Sequence, residues 1–156
     1  MNAIKEMITG IDMITINEAE ECDFAQIEAI LAENHMLVPA IDGKKAMEMI
    51  KKRMGRYFLA AKENNLVLGF IRATYDGSRA LIQQMAVKKT HQRKGIGKKL
   101  IFEVCKRLRK DGAPTVSVTS TEKSCPYYEK LSFKKLPITL MLAEEIDRVI
   151  SITDTK

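Results

Sequence analysis

Val87-Lys88-Lys89-Thr90-His91-Gln92-Arg93-Lys94-Gly95-Ile96-Gly97-Lys98-Lys99-Leu100 is the stretch whose reading decides the fold. A β-branched, apolar run ends at Val87, a basic loop follows, and two glycines open a helix. Glycine lets backbone approach a ligand closely, and a helix start presents unpaired N–H groups at the positive end of its dipole. Arg93, Lys94, Lys98 and Lys99 add cationic arms, a chemistry that suits a pyrophosphate. The spacing is not the GxxxxGK[ST] phosphate loop. Leu100 stands where GxGxxG requires its third glycine, so it is not the dinucleotide fingerprint either. An ordinary glycine turn before a solvated basic helix accounts for these features equally well.

Working outward, Ile96, Leu100, Ile101, Val104, Cys105 and Leu108 form one apolar stripe, so a helix runs from near Gly95 to Asp111-Gly112. Upstream, Tyr57–Ala61, Leu66–Tyr75 and Ala80–Val87 read as strands joined by Glu63-Asn64-Asn65 and Asp76-Gly77-Ser78, an antiparallel meander. Asp12–Ile16 reads as a first strand. Asp23 with Gln26 resembles a capping box before the helical spacing of Phe24, Ile27, Ile30 and Leu31. A second helix carries Ala46, Met47, Ile50 and Met54 and stops at Gly55. Downstream, Thr115–Thr119 is strand-like, and Pro126 opens a short helix to about Lys130. Phe133–Leu136 and Ile138–Ala143 read as closing strands broken by Pro137, and the tail after Glu144 reads as helical. The expected fold is an α/β domain of order β-α-α-β-β-β-α-β-α-β-β, with a mixed, mostly antiparallel sheet flanked by helices.

The 156 residues suit one domain, 1–156 with a core of about 12–143, long enough to bury a core without a disulfide or metal. A hydrophobic fraction of 46% argues against disorder. No apolar run approaches the roughly 18 residues of a membrane span, and the first residues lack a secretory pattern. Three cysteines without CxxC pairing fit reduced thiols, which predicts a cytoplasmic protein; two histidines predict no metal site. The net charge of +6 is divided unevenly. Residues 1–42 carry one basic and nine acidic side chains, and residues 43–110 carry nineteen basic and four acidic. Two ligand polarities are one reading of that division, and charges that merely solvate the surface are the default one.

Two motifs sharpen the reading. Gln92-Arg93-Lys94-Gly95-Ile96-Gly97 resembles the Q/R-x-x-G-x-G/A acetyl-CoA loop of the GNAT family of N-acetyltransferases. Tyr127-Tyr128-Glu129-Lys130-Leu131-Ser132-Phe133 resembles that family's FYEKLGF signature, and Leu81–Val87 resembles its fourth strand. The resemblance implies a GNAT-like sheet that splays between the strand ending at Val87 and Thr115–Thr119, with acetyl-CoA as co-substrate. It implies that backbone N–H groups from Arg93 to Lys98 (Arg93, Lys94, Gly95, Ile96, Gly97, Lys98), with Gln92, hold the pyrophosphate. Met85, Ala86 and Val87 would line the pantetheine arm, Met85 and Val87 through their main chain. It implies that Tyr128 protonates the departing thiolate, because an acid of pKa near 10 can donate to a thiolate of pKa near 8.5. A packed aromatic is the plain alternative for Tyr128.

Departures from the pattern are informative. Ser132 replaces the signature glycine. Leu81 and Gln83 stand where many relatives carry Glu or His, so no general base is evident; a water, Glu33 or a neutral amine are the alternatives. His91, His35 and Cys125 read as loop or buried residues rather than catalysts. The expected reaction is acetyl transfer from acetyl-CoA to a primary amine of a small cationic molecule or of a peptide or protein, by direct attack in a ternary complex. A cationic acceptor follows from the acidic front, and a homodimer is one possible assembly. Two other readings compete: a basic nucleic-acid-binding module, which lacks aromatic interleaving and a reading-helix motif, and a CoA-binding sensor without turnover.

Overall fold

The computed structural model describes residues 13–153. They fall into two compact units, divided between Thr121 and Glu122.

In the first unit, strands β1 (Thr15–Glu18), β2 (Phe58–Glu63), β3 (Leu66–Tyr75), β4 (Ala80–Val87) and β5 (Val116–Val118) form one sheet in the order β1-β2-β3-β4-β5. The first three ladders are antiparallel and β4 pairs β5 in parallel. This is the mixed, mostly antiparallel α/β sheet the sequence predicts. Helices α1 (Phe24–Glu33), the short α2 (Pro39–Asp42), α3 (Lys44–Met54) and α4 (Ile96–Lys110) complete the unit. The meander forms because its connectors can turn. Asp76 Oδ1 accepts from the Ser78 and Arg79 N–H groups while Gly77 takes φ 93°, and Asn64 takes φ 53°.

The two sheet faces bury different helices. Phe24, Ile27, Ile30 and Leu31 of α1 and Met47 of α3 join Phe58, Ala60, Phe70 and Ala86 in one core cluster. The Phe24 and Phe58 rings stack at 5.9 Å, and Phe58 meets Phe70 edge-on at 6.3 Å. Side chains alternate along a strand, so Leu59 and Ile71 point to the other face, where α4 packs on β2, β3 and β4. That helix buries Ile96, Leu100, Ile101, Val104 and Leu108, each worth about 1.5–3 kcal/mol of gross apolar burial.

In the second unit, α5 (Cys125–Glu129) has Pro126 in its first turn, and α6 spans Ile146–Thr153. Three expectations are corrected. The first strand begins at Thr15, where pairing with Lys62 starts; Asp12 lies outside the described residues. Gln26 does not cap α1: its amide spans the β2–β3 turn, donating to the Asn65 carbonyl and accepting from the Val67 N–H. Asp23, 3% exposed, takes the Glu20 N–H and both contacts of the Lys62 ammonium instead. Phe133–Leu136 and Ile138–Ala143 form no strand. Their apolar content permits a strand, but a strand also needs a ladder partner; Pro137 supplies no N–H, and the described ladders end at β5.

The end of α4 is tied to the turn before β2. The Arg56 guanidinium makes a two-pronged contact with Asp111, and the Tyr57 hydroxyl donates to Asp111 at 2.7 Å. The Arg56 and Tyr57 hydrogen bonds hold the Asp111 carboxyl down to about 2. A depressed carboxyl stabilises the fold above its ordinary range and loses that contribution as pH falls through the folded value. The melting temperature of wild type should therefore exceed that of Asp111→Asn by a constant margin above about pH 4, and the margin should close between about pH 4 and pH 2. A margin independent of pH would overturn this assignment.

Candidate active site

The basic loop leaves β4 through a turn at Lys89–His91 and enters α4 with two left-handed residues, Arg93 at φ 59° and Gly95 at φ 82°. Gly95 is the residue before the helix, and the first intrahelical bond runs from the Lys99 N–H to the Gly95 carbonyl at 3.1 Å. The N–H groups of Ile96, Gly97 and Lys98 therefore precede the helical ladder and point out of its start. No side chain caps them. Gln92, Arg93, Lys94, Lys98 and Lys99 are exposed around this start.

The neighbouring strand is open on one side. Pairing of β4 with β5 covers Ala80, Leu81 and Ile82 and ends there. The Lys88 N–H turns toward β3, where it donates to the Leu68 carbonyl at 2.8 Å. By the alternation of an antiparallel ladder, Ala86 also faces β3, whereas Met85 and Val87 turn their main chain to the unpaired side. The Val87 carbonyl confirms the sense, since it accepts from Asn34 and Gln92 side chains at 3.1 Å on that side. Main-chain groups of Met85 and Val87 and the loop 92–98 thus share one edge of the first unit. An extended arm of ordinary amides that runs into a pyrophosphate has the donors and acceptors that this edge complements.

Asn34 and Glu33, at the end of α1, hold the loop. Asn34 accepts from Gln92 Nε2 at 2.9 Å, and Glu33 Oε1 accepts from the Lys89 N–H at 2.8 Å. Glu33, one alternative for a base, is thereby occupied with the loop backbone. Gln83 is exposed and Leu81 half-buried, so neither supplies an acid–base group. His91 Nδ1 lies 2.8 Å from the Thr90 hydroxyl, and His35 takes φ 58° at the end of α1.

Tyr128 lies on α5 in the second unit. Its ring packs edge-on against Tyr127 at 5.3 Å and Phe133 at 5.5 Å. Burial pushes the phenol up, and the Tyr127 phenol adds to the rise. A phenol so placed stays protonated at neutral pH and keeps a proton to donate. The turn after it is made by Leu131 and Phe133 N–H groups donating to the Tyr128 carbonyl at 2.9 and 3.1 Å. Ser132, at the signature's glycine position, takes φ 70°, a left-handed conformation that a side chain resists.

Four carboxylates of the acidic front are paired with cations: Glu18 with Arg107, Glu20 with Lys51, Asp23 with Lys62 and Asp42 with Arg72. Part of the charge opposition along the chain is thus internal pairing between the front and the basic middle. The Asp42–Arg72 pair is the feature the sequence reading missed. Asp42 is 2% exposed; it accepts from Arg72 at 3.0 Å and from the Val38 N–H at 3.0 Å. Arg72 stands opposite Phe58 and Gln84 in the ladders, and its buried Nε has no partner. Beside it, Met47, Phe58, Phe70 and Gln84 line a small cleft. Arginine within the apolar run Leu66–Tyr75 was the available signal.

With this geometry in place, comparison with known proteins assigns the class. Residues 23–140 match the family model described as Acetyltransferase (GNAT) domain, and the chain belongs to the GNAT acetyltransferase family. It is 29% identical over 130 residues to the [Ribosomal protein bS18]-alanine N-acetyltransferase of Haemophilus influenzae, covering 81% of this chain and 85% of that one. A shorter match, 40% identical over 60 residues, is to the glucosamine 6-phosphate N-acetyltransferase of Trypanosoma brucei brucei. It covers 37% of this chain and spans about two fifths (41%) of that enzyme's length. Among solved structures, a GNAT family acetyltransferase from Brucella melitensis in complex with acetyl-CoA has the same fold. It superposes with a TM-score of 0.62 at 22% identity, covering 80% of this chain and 84% of that one. Among the described residues no helix is long and apolar enough to cross a membrane.

Relief of the Ser132 strain is measurable. Ser132→Gly should raise unfolding free energy by up to about 1 kcal/mol, the left-handed penalty less the added freedom of an unfolded glycine. Chemical denaturation checks it, and a destabilised variant would contradict the strain.

Proposed function

We propose that this protein transfers the acetyl group of acetyl-CoA to a primary amine by direct attack within a ternary complex. The observation that carries the reading is the shared edge of the first unit. N–H groups at the start of α4, flanked by Arg93, Lys94 and Lys98, adjoin the stretch of β4 at Met85 and Val87 that β5 does not pair, where the Val87 carbonyl is held by the Asn34 and Gln92 side chains. A pyrophosphate suits the first set and an amide-bearing arm suits the second. The residues present therefore fit acetyl-CoA, which would supply an activated acyl group as its thioester.

In this scheme Ile96, Gly97 and Lys98 donate main-chain hydrogen bonds to phosphate oxygens, with Gln92 and Gly95 shaping the loop. Met85 and Val87 align the arm as an added strand would, and Ala86 faces β3 between them. The amine lone pair forms the new C–N bond as the C–S bond breaks, and the Tyr128 hydroxyl gives its proton to the departing sulfur. Its upward-shifted pKa keeps that proton in place until the thiolate appears. The amine attacks in its neutral form, and the proton its nitrogen sheds on becoming an amide passes to water, because Leu81 and Gln83 provide no base.

The acceptor is proposed as an amine of a small molecule or of a peptide or protein. The relatives named above are acetyltransferases for an amino sugar phosphate and a protein alanine, which supports the amine class. Internal pairing of Glu18, Glu20, Asp23 and Asp42 reduces the acidic field that would favour a cationic amine, and the remaining acids of the front, Glu21 and Glu28 among them, still favour one.

Titration calorimetry with acetyl-CoA should show binding that weakens with salt, and a panel of amines should reveal turnover. Tyr128→Phe should lower kcat by about 10²–10⁴-fold with little change in KM for acetyl-CoA. No heat and no thermal shift with acetyl-CoA would overturn the donor assignment; equal rates for Tyr128→Phe would remove Tyr128 from its role.

A further inference from the structure

The edge of β4 that β5 leaves open is not bare. The Val87 carbonyl accepts from Asn34 Nδ2 at 3.1 Å and from Gln92 Nε2 at 3.1 Å. A carbonyl oxygen has two lone pairs, so these two side-chain amides occupy both. The donor's arm carries amide N–H groups, and an extended ligand added to a strand bonds through such a carbonyl. One of the two side chains must therefore leave before the Val87 carbonyl can serve the arm.

The two amides are not held alike. Asn34, half-buried at the end of α1, also donates to the Ile30 carbonyl at 2.8 Å. Its oxygen accepts from Gln92 Nε2 at 2.9 Å, so both amide hydrogens and the oxygen of Asn34 are engaged. Turning that amide over would set its oxygen against two carbonyls, which fixes its orientation. The Gln92 amide is fixed in the same way, because its nitrogen faces the Val87 carbonyl and Asn34 Oδ1. Gln92 is exposed, however, and a long exposed side chain regains rotamer freedom when released into water. Of the pair, Gln92 is the one that can leave.

We infer that the Gln92 amide is an internal stand-in for an amide of the donor's arm. It occupies the Val87 carbonyl in the free protein, and the arm's N–H takes its place on binding while Asn34 stays. The inference rests on the acetyl-CoA reading above. The exchange conserves hydrogen bonds: the Val87 carbonyl keeps two donors throughout, and the released Gln92 amide turns to water. Its net cost is therefore small. The occupied state also has a use in the empty protein. A bare strand edge is a template for unwanted pairing, and side chains seated on it blunt that tendency. Glu33, which accepts from the Lys89 N–H at 2.8 Å, holds the loop backbone in place while the Gln92 side chain moves.

Two probes separate the arm from the phosphates. Acetyl-pantetheine carries the amides and the thioester without charge, and ADP carries a pyrophosphate without the arm. In heteronuclear NMR spectra of the full chain, saturation with acetyl-CoA should move the Gln92 side-chain N–H signals upfield, as hydrogens leaving a carbonyl do. Those of Asn34 should stay, and ADP alone should move neither upfield. Gln92→Ala removes the competitor and should tighten acetyl-pantetheine binding about two- to tenfold, the worth of one neutral hydrogen bond. Gln92→Glu, whose carboxylate cannot donate, should tighten it as well. The same variant should weaken ADP, because it sets a negative charge beside the phosphate-suited loop. A damaged fold would weaken both probes, so the opposite signs separate the two causes. Unmoved Gln92 signals with acetyl-CoA bound, an equal upfield move with ADP alone, or variants that bind acetyl-pantetheine no better than wild type would each overturn the inference and leave the donor assignment standing. A wild type that does not bind acetyl-CoA would overturn the donor assignment, and this inference with it.

Discussion

At Gly69, in the middle of β3, an added Cβ would stand 2.9 Å from the Ala86 carbonyl oxygen and 3.3 Å from the Leu100 side chain. That close approach lets α4 lie directly on the central strand, with Leu100 wholly buried. The opposite face of β3 is covered by α1 and α3 through Phe58 and Phe70. A central strand buried on both faces leaves the start of α4 little choice of position. It must lie beside the end of β4, where Lys88 is still bonded to Leu68. Packing brings the phosphate-suited loop beside the edge of Met85 and Val87, and the Gln92 side chain ties the two together by donating to the Val87 carbonyl.

Electrostatics follows the same frame. Acids of the first stretch lie on β1 and just after it, and the cations they meet lie on β2, α3 and α4. Folding brings Glu18 to Arg107, Glu20 to Lys51 and Asp23 to Lys62. Asp42 and Arg72 are the most buried such pair. Desolvation lowers the Arg72 pKa, and Asp42 opposes that shift. Breaking one partner of a buried pair leaves a charge that water cannot reach, so the pair restrains the α2 segment on the sheet more than it adds net stability. What remains uncompensated around the loop is cationic, in keeping with a pyrophosphate partner.

Local pattern was legible wherever it was long and strongly periodic. The run Leu66–Tyr75, the run Ala80–Val87 and the helix from Ile96 to Lys110 all appear with the bounds their periodicity and glycines imply. Gln26 misled because a cap and a long-range amide bridge have the same local sequence; only the position of the β2–β3 turn distinguishes them. Ile138–Ala143 misled for a related reason. β-propensity states how a segment could pair, and pairing depends on whether an edge reaches it. Ser132 was readable as a departure from a glycine signature, and its left-handed φ shows that the turn kept its shape despite the side chain.

By itself, the sequence determined the class of element at each position, the glycine-led basic start of α4 and the tyrosine motif. These are properties of neighbouring residues, carried by side-chain period, turn chemistry and the absence of a Cβ. Tertiary structure alone decided where pairing of β4 with β5 stops, which carboxylates are consumed by which cations, and that Asn34 and Glu33 brace the loop. Those outcomes join residues thirty to ninety positions apart, whose meeting depends on how the two faces of β3 are covered and leaves no mark in any local window.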